Sequence, residues 1–154
     1  MKDGRMAAVA RLARELLDRH GLGDWTFGFN RRKRACGLCW HGPRRVELSE
    51  AFVRANDDAA VRDVLLHEIA HALAGHAAGH GPVWKQFARA VGANPSATVH
   101  SVTPPGRWQA NCPHCGHLYA LYRRPKYEGA VYYCNRPGCG QQRGSFAYRE
   151  VALP

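Results

Sequence analysis

Between Asp57 and Gly75 one helix must serve two purposes. Val61, Val64, Leu65, Ile69 and Leu73 recur at helical spacing and demand a buried stripe. The same turns carry His67, Glu68 and His71, three polar side chains within a strongly apolar run. Asp57 suits the N-cap, Asp58 adds acid to the first turn, and Gly75 suits the stop. The rest of the chain has to pack around this helix.

The neighbouring segments give the partners. Met6, Val9, Ala10, Ala13, Leu16 and Leu17 predict a helix to about His20, ended by Gly21 and Gly23. Trp25–Asn30, Ala35–Trp40 and Arg44–Leu48 have strand character. Their short connections, Arg31-Arg32-Lys33 and His41-Gly42-Pro43, predict a three-stranded antiparallel meander. Pro82 suits the first position of a further helix with Val83, Trp84, Phe87, Ala88 and Val91 on its apolar face, closed by Gly92. Asn94–Gly106 reads as a linker. Beyond it the chain turns rich in Cys, Tyr, Arg and Gly. The expected class is α+β, with one domain over 1–103 and a small separate unit over 107–150.

His67 and His71 stand four residues apart, so a helix sets both imidazoles on one face, within reach of one metal ion. Glu68, beside a ligand, can reach a water at an open coordination position and take its proton. A catalytic zinc requires a third protein ligand. The extended spacing H-E-x-x-H-x-x-G-x-x-H would place it at Ala77, so that pattern is absent. His76 and His80 are the nearby candidates. His80 is preferred because a glycine before it and Pro82 after it can turn the chain back over the ion. His76 and the tyrosines remain candidates for oxyanion stabilisation.

Six cysteines without a signal-peptide pattern suit metal binding in a reducing compartment better than disulfides. Cys112 and Cys115, two residues apart and followed by Gly116, have zinc-knuckle spacing. Cys134 and Cys139 complete a four-thiolate set, with His114 and His117 as substitutes for the loosely spaced Cys139. Such a saturated site is structural. Cys36 and Cys39 share the two-residue spacing, but on a strand they point to opposite faces, so small core side chains are expected there.

Lys and Arg number 22 against 12 Asp and Glu, a net charge of +10, which favours a polyanionic partner. Arg31, Arg32, Lys33 and Arg34 form one basic cluster and Arg44 and Arg45 another. Arg123, Arg124 and Lys126 form a third among Tyr122, Tyr127, Tyr132 and Tyr133. Interleaved cations and aromatics suit single-stranded nucleic acid, with little sequence preference expected. Tyr132 and Tyr133 suit either base stacking or the core of the small unit. No apolar stretch approaches the ~20 residues of a membrane helix. A cytoplasmic, nucleoid-associated monomer is expected.

His67-Glu68-Ile69-Ala70-His71, followed by Gly79-His80-Gly81-Pro82-Val83-Trp84, resembles the SprT-like family. Asn30–Arg34, Gly37-Leu38-Cys39 and Arg45–Ser49 are similar to the hairpin that precedes the family's catalytic helix. Tyr122-Arg123-Arg124-Pro125 is similar to the zinc ribbon of its bacterial members. The resemblance implies a minimal zincin with a C-terminal zinc ribbon, His67, His71 and His80 on a catalytic zinc, and Glu68 as acid/base. It also implies protein substrates crosslinked to or bound on DNA. The competing readings are a nucleic-acid-binding zinc protein with little protease activity and a general cytoplasmic peptidase.

Overall fold

A computed structural model describes residues 2–96, 105–127, 129–139 and 145–152, with the side chains of 2 and 3 left aside. Most of the linker expected at 94–106 lies outside the described residues. The chain divides into two compact units, Met1–Pro104 and Pro105–Pro154. Among the described residues no helix is long and apolar enough to cross a membrane.

The first unit runs α1 (Lys2–Arg19), β1 (Thr26–Asn30), β2 (Gly37–Trp40), β3 (Arg45–Ser49), α2 (Glu50–Ala55), α3 (Asp58–Ala74), a 3-10 turn (His76–Ala78) and α4 (Pro82–Val91). α1 buries Val9, Ala13, Leu16 and Leu17, one helical face. α3 starts at Asp57, whose carboxylate accepts from the Ala60 N–H at 2.8 Å, and ends at Gly75 with φ of 89°. The expected stripe on α3 is wider than a stripe. Every residue from Val64 to Ala70 is buried, because α1, β2, β3 and α4 all pack against this helix. On α4, Trp84 and Ala88 are buried, whereas Val83 is exposed and does not belong to the apolar face expected of it.

The sheet corrects the meander. Its order is β1-β3-β2, with β1 parallel to β3 and only β2 antiparallel to it. β3 takes the centre: Val46, Leu48 and Ser49 are buried on it, and a strand along each edge covers it. A short connection does not force adjacent pairing. Residues 31–36 can span roughly 20 Å, whereas two strand spacings need only about 10 Å. β1 therefore reaches the far edge of β3, and β2 returns as the opposite edge. α2 has no counterpart in the periodicity; six residues are too few to display one. Ser49 caps it by accepting from the Phe52 N–H at 3.3 Å, and Phe52 and Val53 face the core.

The second unit holds β4 (Trp108–Asn111), β5 (Leu118–Leu121), β6 (Tyr132–Tyr133), β7 (Ser145–Phe146) and β8 (Arg149–Glu150). They form an antiparallel sheet of order β5-β4-β8 and a β6-β7 ribbon. Its core is Cys112, Cys134 and Cys139, with Tyr119 and Phe146 packed against them. Tyr119 stacks on Phe146 at 4.9 Å, and Tyr132 meets Tyr148 edge-on at 4.9 Å. Tyr132 thus belongs with the packed aromatics, while Tyr133 is exposed.

Candidate metal and catalytic site

Three histidines converge where α3 ends. His67 and His71 rise from one face of α3. Gly75 then breaks the helix, the 3-10 turn reverses the chain, and Gly79 adopts φ 50°, ψ −134°, a conformation that glycine alone takes readily. His80 follows at once, and Pro82 locks the entry to α4. The His80 Nε2 lies 3.0 Å from the Nε2 atoms of both His67 and His71. Ligands bound at 2.0–2.1 Å in tetrahedral geometry sit roughly 3.3 Å apart, so this donor set fits one zinc ion. His76 is not part of the cluster.

Trp84 forms the floor beneath these rings, with centroids 4.6, 5.3 and 4.7 Å from His67, His71 and His80. Burial, reinforced by the neighbouring imidazoles, lowers the pKa values of His67 and His71 to about 4. Neutral imidazoles with available lone pairs result, the form a metal requires. Glu68 is only 7% exposed, and burial raises its pKa to about 8. A cation alongside would pull that value back towards the ionised form.

A cleft of about 660 Å³ opens over the cluster, lined by residues of β2 on one side and by Glu68, His76 and His80 on the other. Gly37 lets β2 approach α3 closely. A Cβ there would stand 2.8 Å from the Glu68 Cγ and Oε1 and 3.0 Å from the Val64 Cγ1. Gly37→Ala is accordingly expected to cost about 1–3 kcal/mol through overpacking. Urea denaturation measures it, and an unchanged midpoint would contradict the close approach.

Cys36 and Cys39 depart from the opposite-face expectation, since both line this cleft. Cys36 precedes the strand, so strand alternation does not govern it. Both also pack against the core, half-buried. Burial, then the charge of Glu68, raises the Cys39 thiol to about 12. His41 is a cleft residue that sequence reasoning passed over as part of a turn. Nothing in its local sequence connects it with a motif 26 residues further on.

In the second unit the Sγ atoms of Cys112, Cys115, Cys134 and Cys139 all lie within 4.8 Å of one another. His114 and His117 are not in that group. The Tyr119 hydroxyl lies 3.0 Å from the Cys134 Sγ and draws that thiol down to about 6, favouring the thiolate that a metal binds. Arg31, Arg32, Lys33 and Arg34 are exposed on the β1–β2 connection, with the Arg32 guanidinium 5.9 Å from the Trp40 ring. Arg123, Arg124 and Lys126 are exposed in the second unit. Arg124 lies over Trp108 at 5.7 Å and Lys126 over Tyr127 at 5.3 Å.

This geometry defines a small α+β domain with a candidate three-histidine metal centre and a buried carboxylate. The profile of the SprT-like family matches residues 7–103, and the chain belongs to that family. No solved structure matches it.

Proposed function

We propose that this chain is a zinc-dependent endopeptidase of minimal-zincin architecture that acts on proteins bound or crosslinked to DNA. The observation that carries the reading is the meeting of three imidazoles beside a buried carboxylate in an open cleft. His67, His71 and His80 would hold a zinc ion, which when bound would polarise the peptide carbonyl and make a water more acidic. Glu68 takes the water's proton as it attacks the carbonyl carbon, then delivers that proton to the departing amine nitrogen. β2 is an edge strand whose Gly37, Leu38 and Cys39 line the cleft, so an extended substrate backbone can add to it as a further strand.

The four cysteines hold a second, structural zinc in a C-terminal zinc ribbon. Arg31, Arg32, Lys33 and Arg34 on the catalytic domain, with Arg123, Arg124 and Lys126 on the ribbon, engage DNA phosphates. The aromatic rings beside the ribbon cations offer stacking surfaces to unpaired bases. The protein works as a cytoplasmic monomer at the nucleoid. The test is cleavage of a DNA-binding protein with and without single-stranded DNA over a salt series. Cleavage stimulated by DNA, with the stimulation fading as salt rises, is expected. Equal cleavage without DNA would remove the DNA-directed part and leave a general peptidase.

A further inference from the structure

His71 is the ligand in most need of support. His67 sits mid-helix, and its carbonyl accepts from the buried Trp84 indole at 3.5 Å. His80 is pinned between Gly79 and Pro82. His71 lies in the last turn of α3, half-exposed, where helices fray. The fold supplies a brace at this residue from another element. The Nε2 of His41, in the turn between β2 and β3, lies 2.9 Å from the His71 carbonyl oxygen. A carbonyl only accepts, so His41 carries its proton on Nε2 and donates it. The same oxygen receives the Gly75 N–H at 3.1 Å. The His41 ring is itself held, edge-on to Trp25 at 5.7 Å and to His76 at 5.6 Å. The Cys39 Sγ lies 4.0 Å from both ring nitrogens of His41, a further contact on the ring.

We infer that His41 is a positioning residue for the metal centre, clamping the backbone of His71 to the sheet so that its imidazole stays aligned with those of His67 and His80. The inference rests on reading the three imidazoles as metal ligands. Groups that orient ligands in this way typically contribute 10–100-fold in metal affinity. His41→Phe keeps a ring between Trp25 and His76 but removes the donor, whereas His41→Gln retains a donor amide.

The experiment loads the full chain with cobalt in competition with a chelator. Cobalt on the cysteines shows thiolate charge-transfer bands that an all-imidazole site lacks, so the two sites are read separately. His41→Phe is expected to weaken the imidazole site by roughly 10–100-fold, with His41→Gln close to wild type. Wild-type affinity in His41→Phe, or equal losses in both variants, would overturn the clamp while leaving the ligand assignment intact. A wild-type protein with no cobalt outside the cysteines would overturn both. Independently of any variant, imidazole nitrogen NMR of the wild type should show the Nε2–H tautomer at His41. The Nδ1–H tautomer contradicts the clamp.

Discussion

Glu68→Gln is expected to lower kcat by about 10²–10⁴-fold without loss of the metal. The amide has the same shape but cannot accept a proton from water. It stays in place because the side chain is buried beneath β2, against Gly37. His67, His71 and His80 are untouched, so zinc content should match wild type. Turnover on a protein substrate, measured beside zinc content, tests this. Unchanged turnover at full zinc occupancy would remove Glu68 from the chemistry.

The same substitution has a consequence for stability in the metal-free protein. The folded pKa of Glu68 is about 8 against an ordinary 4.5, so between those values the folded state holds the extra proton. Stability therefore falls as pH rises through this window. His67 and His71, lowered to about 4 from 6.5, act in the opposite sense, and their effect fades only as pH rises past 6.5. Between about pH 7 and 8 the Glu68 effect is the larger of the two, and the net slope stays below about 1.4 kcal/mol per pH unit because the histidines still oppose it. Glu68→Gln should flatten that slope in denaturation of the chelated protein. A slope equal in both proteins would mean that the carboxylate is not buried as described.

Removal of metal from the cysteine cluster is expected to unfold the C-terminal unit outright. The reason is its size. Among the described residues, Cys112, Cys134 and Cys139 form its buried centre, with Tyr119 and Phe146 packed against them. Three of its strands are two residues long. Structural zinc in such small units supplies about 10–16 kcal/mol of apparent binding free energy, which is also their folding free energy. Cys134→Ser, or a strong chelator, should make residues 107–150 sensitive to protease while α1, α3 and α4 remain helical by circular dichroism. Protease resistance unchanged by chelation would show that the aromatic stacking suffices.

The parts of the fold legible in the sequence were those governed by local chemistry. Asp57, Gly75, Pro82 and Gly92 mark helix ends because caps and stops depend on a few adjacent atoms. His67 and His71 share a face because helix geometry places i and i+4 together. His80 needed one further step, the reversal allowed by Gly79.

Long-range choices left no such marks. Pairing of β1 with β3 rather than β2 places β3 between two edge strands, a property of the assembled layers. The role of His41 arises only after the β2–β3 hairpin folds over the end of α3. Cys39 reads as a core residue in sequence and becomes a cleft residue because β2 is an edge.

The most direct measurement is an anomalous difference map, at the zinc edge, from crystals of the full chain grown with zinc. One peak is expected about 2.0–2.1 Å from each Nε2 of His67, His71 and His80, with the Glu68 carboxylate facing its open side. An empty map at that point, or an ion held instead by Cys39, His41 or His76, would contradict the proposed centre and the chemistry assigned to it.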